Sequence, residues 1–434
     1  FYRNPQWADM DDWEKALAPH YDTAETMLGV QTVPRESVNQ EYLKEIGRHF
    51  GVEDTFRRTP CGVFFGKAGE TVPDPYFGGD GPERTGCTFC GACMQGCRVG
   101  AKNTLMKNYL WFAEKRGVEC HTERQVIDIQ ALGAADGSEG YRVMTQRPGA
   151  WINKRPREYR ARGIVFSAGA LGTNALLAKC KQRGSLPGLS DRLGSLVRTN
   201  SESILAVTMP KGTANIWNDV MISCSVHPAP DTHIELNTFG RTADSLAYLQ
   251  TLLTGKGSRL TRPFKWLGQV VKHPLVFLRL LWPVGWSQRS VVFLVMQTLD
   301  NAISFRAKRG IFGRFRMITE QDPEKPNPTY IEIANEATQF LADKHGGIAQ
   351  GSVLEALANI PTTAHILGGA VISDAPEHGV VDRDSRVFGY RNMMICDGST
   401  VPANPGVNPS LTITAMSELA MSKVPEATQG WWLK

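Results

Sequence analysis

The alternation of apolar and polar positions along the 434-residue chain predicts both helices and strands. Residues 9–27 and 39–50 have helical spacing, and the first of these segments begins with acidic side chains, as helices often do. A stretch rich in glycine and proline, 61–86, predicts a loop. A further helix is expected over 101–117, with Gly117 at its end.

Strand-like segments follow this helix. The segment 118–132 predicts a strand, a turn and a second strand, and 141–146 and 157–169 add more extended chain. The last of these runs into the sequence SAGALGTNALLAK, which places a glycine turn and a helix directly after an apolar strand. That order is typical of a nucleotide-binding crossover.

The middle of the chain, 198–330, is less regular, and we interpret it as a separate antiparallel sheet. Residues 331–434 return to alternating strands and helices, with a final helix expected to begin after Pro409. The predicted organisation is one domain built from 1–197 and 331–434, with 198–330 as the second. The candidate strands of the middle region are 203–210, 232–240, 290–300 and 302–310.

Composition places the chain among soluble globular proteins, because 42% of its residues are hydrophobic, 21% are charged, and no repeat is visible. The net charge of +5 is too small to suggest a nucleic-acid partner. No uninterrupted apolar run of ~18 residues occurs, so no membrane-spanning helix is predicted. The nine cysteines are an odd number, and five are scattered singly, which favours a reducing compartment.

Four of the cysteines lie within eleven residues with the spacing C-x2-C-x2-C-x3-C. Two disulfides, a structural zinc site, an iron–sulfur cluster and an unmetallated group of thiols are the alternatives for this Cys-rich loop, 87–97. The iron–sulfur cluster is favoured because the spacing is ferredoxin-like, although Arg98 stands where proline is usual. The candidate metal ligands are Cys87, Cys90, Cys93 and Cys97.

From Ser245 to Leu299 the chain contains no aspartate or glutamate, but it has seven basic side chains and three tryptophans. This composition is typical of an interfacial segment, with apolar and aromatic groups in the acyl boundary and cations at lipid headgroups. Residues 245–299 are therefore predicted to contact a membrane surface. The alternative is that the segment packs against another part of the protein.

Five motifs together resemble one known family. They are GAKNTLMKNYL, IVFSAGALGTNALL, HILGGAVI, GVVDRDSRVFGYRNMMICDGS and GVNPSLTITAMSELA, and they follow one another in the family's order. The chain resembles the glucose–methanol–choline (GMC) flavoprotein oxidoreductases over essentially its whole length, and within them the bacterial cholesterol-oxidase-like branch. The resemblance implies an α/β fold, α+β overall, with a Rossmann-like FAD-binding domain and an antiparallel-sheet substrate domain.

Proteins of this family begin with a strand, a G-x-G-x-x-G turn and a helix that hold the flavin pyrophosphate. No G-x-G-x-x-G occurs in this chain, so the FAD-binding domain is expected to be incomplete. The opening FYRNPQWADM neither begins with methionine nor has the pattern of a signal peptide. We therefore expect a fragment that has lost its N-terminal part, together with any targeting signal.

The resemblance also implies which residues contact FAD. The start of the final helix would present unpaired N–H groups and a partial positive charge, which favour the negative charge of a reduced flavin. Asp397 would accept hydrogen bonds from ribityl hydroxyls, and the backbone of Val126 would meet the adenine. The implied FAD-binding residues are Val126, Asp397, Gly398, Asn408, Pro409 and Ser410.

His365 and Asn408 match the family's catalytic pair. An imidazole titrates near neutral pH and can accept a proton from a substrate hydroxyl, whereas an amide can hold the substrate oxygen. Glu235 falls where the cholesterol-oxidase-like proteins carry a carboxylate that moves a proton during Δ5→Δ4 isomerisation. His233 is a second candidate on the same strand face.

The leading expectation is FAD-dependent oxidation of the 3β-hydroxyl of a sterol or steroid, with isomerisation as a second step. One alternative is a GMC-type dehydrogenase of another apolar alcohol or a sugar, using an iron–sulfur cluster. Cys87, Cys93 and Cys97 reproduce the C-x5-C-x3-C spacing of the flavin glucose dehydrogenases. Another alternative is a non-catalytic flavin-fold protein that binds membranes. The acceptor is left open between O2 and an unidentified redox partner, and the expected location is the bacterial cytoplasm, peripheral on the inner membrane face.

Overall fold

The computed structural model describes residues 1–213, 215–310 and 315–426. The helices predicted at 9–27, at 39–50 and after Pro409 are confirmed as α1, α2 and α10, defined below. The helices of the described residues are α1 (Trp13–Leu28), α2 (Val38–His49), α3 (Tyr109–Lys115), α4 (Gly169–Arg183), α5 (Thr261–Lys272), α6 (Pro274–Leu280), α7 (Trp286–Arg289), α8 (Glu332–His345), α9 (Val353–Ala358) and α10 (Ser410–Ser422).

Most strands of the described residues are short, and the two longest, of eight residues each, belong to the middle of the chain. They are β1 (Gln31–Thr32), β2 (Arg57–Arg58), β3 (Pro60–Cys61), β4 (Thr71–Val72), β5 (Arg84–Thr85), β6 (Gln125–Ala131), β7 (Tyr141–Gln146), β8 (Arg157–Ala161), β9 (Ile164–Phe166), β10 (Ser195–Arg198), β11 (Ser203–Thr208), β12 (Ile222–Ala229), β13 (Thr232–Asn237), β14 (Gln250–Leu252), β15 (Ser290–Gln297), β16 (Ile303–Arg309), β17 (Phe315–Gln321), β18 (Ile348–Ser352), β19 (Leu367–Gly369) and β20 (Met393–Ile395).

A seven-stranded antiparallel sheet has the strand order β14–β18–β11–β15–β13–β12–β2. The central strands β11, β13 and β15 are almost wholly buried. Their alternate side chains face two cores: Leu205 and Phe293 pack under α2 and α8, while Ala206 and Val292 pack against Trp286. Two of the seven strands, β2 and β18, come from outside the predicted middle region, 198–330.

A second sheet has the order β17–β16–β10–β19. Its strands β16 and β17 belong to the predicted middle region, so the expectation of one separate sheet there is wrong. The middle strands divide between two sheets because the chain turns back after β15, and β16 pairs with β10 at Val197 and Ile303. The junction of the two sheets lies where β10 leads into β11.

The predicted crossover is confirmed. β9 pairs in parallel with β20, with Val165 opposite Met394, and leads through Gly169 into α4. Gly169 has φ of +71°, a conformation that glycine adopts readily. α4 and α10 then bury Leu177 and Met416 in the same core as β20.

Two local predictions between residues 101 and 132 are wrong. The helix expected over 101–117 is reduced to a 3-10 turn at Leu105–Lys107 and the short α3. Asn108 separates them, because its side chain accepts a hydrogen bond from the Tyr109 amide and caps the new helix. The first strand expected within 118–132 does not form, and Val118 is exposed there, with no apolar surface to cover it.

Candidate active site

Polar side chains from four separate segments meet at the junction of the two sheets. Glu235 lies on β13, and Glu202 lies directly before β11. His365 lies two residues before β19, and Asn408 lies two residues before α10. The structure therefore brings together the three residues that the sequence predicted to be catalytic, and it adds Glu202.

Unusual backbone conformations place two of these residues. Gly368 and Gly369, just after His365, have φ of +73° and +87°, and a Cβ at Gly368 would lie 2.1 Å from the carbonyl oxygen of Leu196. Only glycine fits there. Asn200 and Ser201, just before Glu202, also have positive φ of 53° and 47°, and such strained residues often cluster at functional sites.

Glu235 and Asn408 form a direct pair. The Asn408 side-chain amide Nδ2 donates to both carboxylate oxygens of Glu235, at 3.0 and 2.8 Å. Burial raises the pKa of Glu235 to about 7, although Asn408 and His365 act in the opposite direction. A carboxyl group with this pKa can hold or release a proton near neutral pH.

His365 is paired with Glu202. Its Nδ1 lies 2.5 Å from Glu202 Oε1, and the Ala364 amide donates to Glu202 Oε2 at 2.6 Å. The Glu202 side chain is completely buried, whereas the His365 side chain keeps 13% of its surface exposed. Because Nδ1 is occupied, Nε2 is the ring nitrogen that can face a substrate.

Sequence reasoning missed Glu202. It lies 163 residues from His365, and nothing near it matches a catalytic motif. The available signal was weak: a glutamate that directly precedes the apolar run of β11 and follows Asn200. The Asn200 amide Nδ2 donates to the Val407 carbonyl at 2.9 Å, which ties this segment to the loop before Asn408.

His233, the second candidate on β13, lies beside Glu235 and not opposite His365. Its Nε2 is 3.9 Å from Glu235 Oε1, and its Nδ1 is 3.2 Å from the Gly406 carbonyl oxygen. Burial lowers the pKa of His233 to about 4, and the nearby ring of His227 acts in the same direction. A ring with this pKa is neutral near pH 7, so His233 is a polar neighbour of Glu235 without a charge.

The start of α10 fits an anionic flavin edge. Pro409 is the N-cap residue, and no side chain caps the helix, so the first-turn amides from Ser410 onward have no side-chain acceptor. Asn408, directly before this terminus, links it to Glu235. The terminus thus combines donor groups and partial positive charge next to the site's acid–base groups.

Asp397 holds the end of β20 against α4. Its Oδ2 accepts hydrogen bonds from the Gly169 amide at 3.0 Å and the Thr173 hydroxyl at 2.5 Å. Its Oδ1 accepts from the Ser399 amide and hydroxyl at 2.8 and 2.6 Å. Through these four bonds Asp397 joins the end of β20 to α4, and its predicted contact with ribityl hydroxyls stays a prediction.

The two remaining predicted FAD contacts lie apart from each other. Gly398 is buried, and a Cβ there would lie 3.1 Å from Ile413 of α10, so the glycine allows α10 to pack closely on this turn. Val126, on β6, is 36% exposed. Its accessible position agrees with the predicted backbone contact, which stays a prediction.

The four clustered cysteines line one cavity of about 10 Å³, but they do not converge as ligands. Among the residues that the structure describes, no three histidine, cysteine, aspartate or glutamate side chains are placed to hold a metal ion. The Phe89 amide donates to Cys87 at 3.3 Å, and the backbone amides of residues 99–102 lower the pKa of Cys97 although burial acts in the opposite direction. Burial raises the pKa of Cys87 to about 11. The iron–sulfur prediction therefore gains no support.

Comparison with known proteins agrees with this arrangement. Residues 303–417 match the family model described as GMC oxidoreductase. A cholesterol oxidase of Acinetobacter baumannii is 44% identical over 96% of this chain and 76% of its own length. A cholesterol oxidase of Mycobacterium tuberculosis is 45% identical over 98% of this chain and 75% of its own.

A solved structure shares the fold at much lower sequence similarity. Pyridoxine 4-oxidase from Mesorbium loti superposes with a TM-score of 0.53 at 12% identity, covering 91% of this chain and 71% of its own. The likeness supports the mixed α/β architecture. With the two relatives above and the residues assembled around His365, it leads to one conclusion: the chain belongs to the GMC oxidoreductase family, in its cholesterol-oxidase-like branch, and is an FAD-dependent oxidoreductase that acts on CH–OH groups.

Proposed function

We propose that this protein oxidises the 3β-hydroxyl of a sterol or steroid to the ketone with O2 as acceptor, and then isomerises the Δ5 ketone to the Δ4 conjugated form. Two relatives named cholesterol oxidase, each more than 40% identical over nearly the whole chain, support the substrate class and the oxidase activity. The observation that carries the proposal is the pairing of His365–Glu202 and Glu235–Asn408 in a single site.

His365 acts first. Oxidation of a secondary alcohol removes a hydride from C3 and a proton from its oxygen, and the free Nε2 of His365 takes that proton. Glu202 is a positioning residue, because its bond to Nδ1 holds the ring and stabilises the positive charge that the ring gains. The chemistry that a bound FAD would supply is hydride acceptance from C3 and return of two electrons and two protons to O2 as hydrogen peroxide.

Three residues at the start of α10 would hold the reactive edge of this cofactor. Pro409 starts the helix without an N–H of its own, and the uncapped amides from Ser410 onward are the donors, with Asn408 between that terminus and Glu235. The same helix terminus stabilises negative charge as the flavin is reduced. The chain's own residues thus account for one end of a flavin site.

Glu235 acts second. In the Δ5 ketone the C4 proton is acidic, because the adjacent carbonyl stabilises the negative charge left by its removal. Glu235 as carboxylate takes the proton from C4 and returns it to C6, and the double bond moves from C5–C6 to C4–C5. A pKa of about 7 suits a group that must accept and donate the same proton.

The direct test uses the flavin-loaded enzyme with cholesterol and with its 3α epimer. We expect peroxide and the absorbance of a conjugated enone from cholesterol, and little of either from the epimer. His365→Ala should lower peroxide formation at least ~100-fold, because the proton acceptor is lost, while the bound flavin spectrum is unchanged. His378→Ala is a matched control, since His378 is an exposed histidine paired with Asp374 at the surface.

Several results would refute the proposal. Full activity of His365→Ala would remove the role of the ring in proton transfer. Oxidation of the 3α epimer as fast as cholesterol would refute the assignment of the 3β-hydroxyl. Reduction of the flavin by cholesterol without peroxide formation in air would refute the oxidase activity and favour a dehydrogenase.

A further inference from the structure

Helix α5 presents its apolar face to solvent. Phe264, Leu267 and Val271 follow helical spacing along one side, and Phe264 and Val271 are 76% and 72% exposed. Helix α6 continues the stripe with Leu275 and Leu278. Apolar side chains in regular helical spacing normally face a protein core, so this face lacks its usual cover.

The opposite side of α5 buries a charge. Arg262 is 2% exposed, its Nη2 lies 3.7 Å from Glu355 Oε2 of α9, and it donates to the Asn359 side-chain oxygen at 3.1 Å. The Trp266 indole also points inward and donates to the Thr251 hydroxyl at 2.8 Å. These inward polar contacts fix the rotation of α5, so the outward apolar stripe is part of the fold.

Neighbouring segments enlarge the apolar area. Leu354 and Leu357 of α9, which packs on α5, are also exposed. So are Leu281 and Trp282, which directly follow α6. We call the exposed apolar side chains of α5, α6, 281–284 and α9 the α5–α6 surface.

Cations accompany this surface without acidic partners. Lys265 and Lys272 lie on α5 itself and Arg279 on α6, and all are exposed. Lys256 and Arg259 stand just before α5 and are exposed too. No acidic residue occurs in 245–299, and within the described part of the chain none of these five cations is paired with a carboxylate.

We propose that the α5–α6 surface docks on a lipid bilayer that carries anionic headgroups. Its apolar side chains would enter the boundary between headgroups and acyl chains, while the lysines and arginines meet lipid phosphates. A second copy of the chain is a poorer occupant, because it would bring the same unpaired cations face to face. No helix of the described residues is long and apolar enough to cross a bilayer.

Binding of the flavin-loaded enzyme to vesicles tests the proposal without reference to turnover, so its failure is distinct from failure of the proposed sterol oxidation. Vesicles of phosphatidylcholine alone are compared with vesicles that contain about 30% phosphatidylglycerol, by co-sedimentation. We expect binding to the anionic vesicles that is at least ~10-fold tighter and that weakens in ~0.5 M salt. Phosphatidylglycerol here supplies the anionic phosphate.

The contribution of the exposed cations to vesicle binding is tested by the triple change Lys256→Gln, Lys265→Gln and Lys272→Gln. Partition to anionic vesicles should fall at least ~10-fold, since each basic side chain near such a surface contributes to binding. The matched control removes three exposed lysines elsewhere and should bind like the unaltered protein; these are Lys154→Gln, Lys211→Gln and Lys423→Gln.

The contribution of the apolar side chains to vesicle binding is tested by the double change Phe264→Ser and Val271→Ser, which should also weaken binding ~10-fold. Its control is Trp151→Ser with Ile152→Ser, because these side chains are 93% and 96% exposed on a different loop. Equal binding to neutral and anionic vesicles would overturn the proposal. So would equal binding by the altered and control proteins, or a dimer that Phe264→Ser dissociates and that does not bind vesicles.

Discussion

Glu235 and Glu355 are equally buried and have similarly raised pKa values, but their side-chain partners differ. Each is 2% exposed, and burial raises the carboxyl pKa of each to about 7. Glu235 faces an amide, from Asn408, at the partly open site of His365. Glu355 faces a buried guanidinium, from Arg262, at 3.7 Å.

The partners decide what each carboxyl group can do. Asn408 cannot titrate, so Glu235 is free to gain and lose a proton while its hydrogen bonds to the amide persist. Arg262 is always charged and bridges α5 to α9, so ionised Glu355 anchors a helix. A raised pKa therefore marks burial, and it marks a catalytic group only where a substrate can reach the carboxyl.

The largest expected difference between the two is in isomerisation. Glu235→Gln should slow conversion of the Δ5 ketone about 1000-fold, because an amide cannot accept the C4 proton. Oxidation should continue, so the unconjugated ketone accumulates and is measured by chromatography beside peroxide.

Glu355→Gln is the matched variant, since it makes the same chemical change at a carboxyl that contacts Arg262 and the Ser203 hydroxyl and has no contact with Asn408. It should isomerise within a few-fold of the unaltered enzyme. Equal loss of isomerisation in both variants would show that the structural contrast between the two glutamates has no functional meaning.

The sequence predicted only part of this contrast. His365 and Asn408 could be found because the motifs that surround them need particular residues, such as Gly368 and Gly369 with their positive φ, whereas Glu235 lies outside those motifs and was matched only by the family's position for a carboxylate. Glu202 could not, since its pairing with His365 spans 163 positions. Local sequence cannot report such a contact.

Side-chain partners also account for what the sequence could not show elsewhere. A sequence shows that Asp397 is a carboxylate, but not that Thr173, 224 positions away, already occupies its Oδ2. Composition found the basic, aromatic segment 245–299, but not that Arg262 points inward and Phe264 outward. Four cysteines in eleven residues suggested convergence on a metal, but spacing alone does not show how the sulfurs are placed, and among the described residues no three such side chains are arranged to hold a metal ion.

The second prediction concerns the buried ion pair of Arg262 and Glu355. Arg262→Met should lower the free energy of unfolding by about 3 kcal/mol at pH 8, because Glu355 is left buried and charged without its partner. The loss should shrink at pH 5, where Glu355 takes up a proton, and the double variant with Glu355→Gln should recover part of it. Urea unfolding measures all three proteins.

A loss in the Arg262→Met single variant that is the same at pH 5 and pH 8 would contradict this assignment. It would mean that the effect comes from the hydrogen bond to Asn359 or from packing, and not from the charge of Glu355.

The third prediction tests the pKa raised by burial, which the two glutamates share. The pKa of Glu235 is raised from about 4.5 unfolded to about 7 folded, so the native state binds the extra proton. Its contribution to stability is complete below pH 4.5 and is lost as pH rises through 7. Glu235→Gln should therefore gain about 2 kcal/mol relative to the unaltered protein between pH 5 and pH 8. An unchanged difference across this range in urea titrations would mean that the pKa of Glu235 is not raised.

The smallest effect is expected at His233, which shares the face of β13 with Glu235. The pKa of His233 is lowered to about 4 by burial, so the ring is neutral between pH 6 and pH 9 and its removal takes away no charge. His233→Gln keeps a polar group 3.9 Å or so from Glu235 and should shift the midpoint of the isomerisation pH profile, near pH 7, by less than ~0.5 unit. The profile should still rise with pH, because Glu235 must lose its proton before it can accept the one from C4.

A loss of isomerisation as large as that of Glu235→Gln would instead make His233 the proton carrier, since a neutral imidazole can also accept the C4 proton. The pH profile of oxidation, recorded on the same samples as peroxide, separates the two cases: a change confined to isomerisation concerns β13, whereas a change in both steps would mean that the substitution disturbs His365.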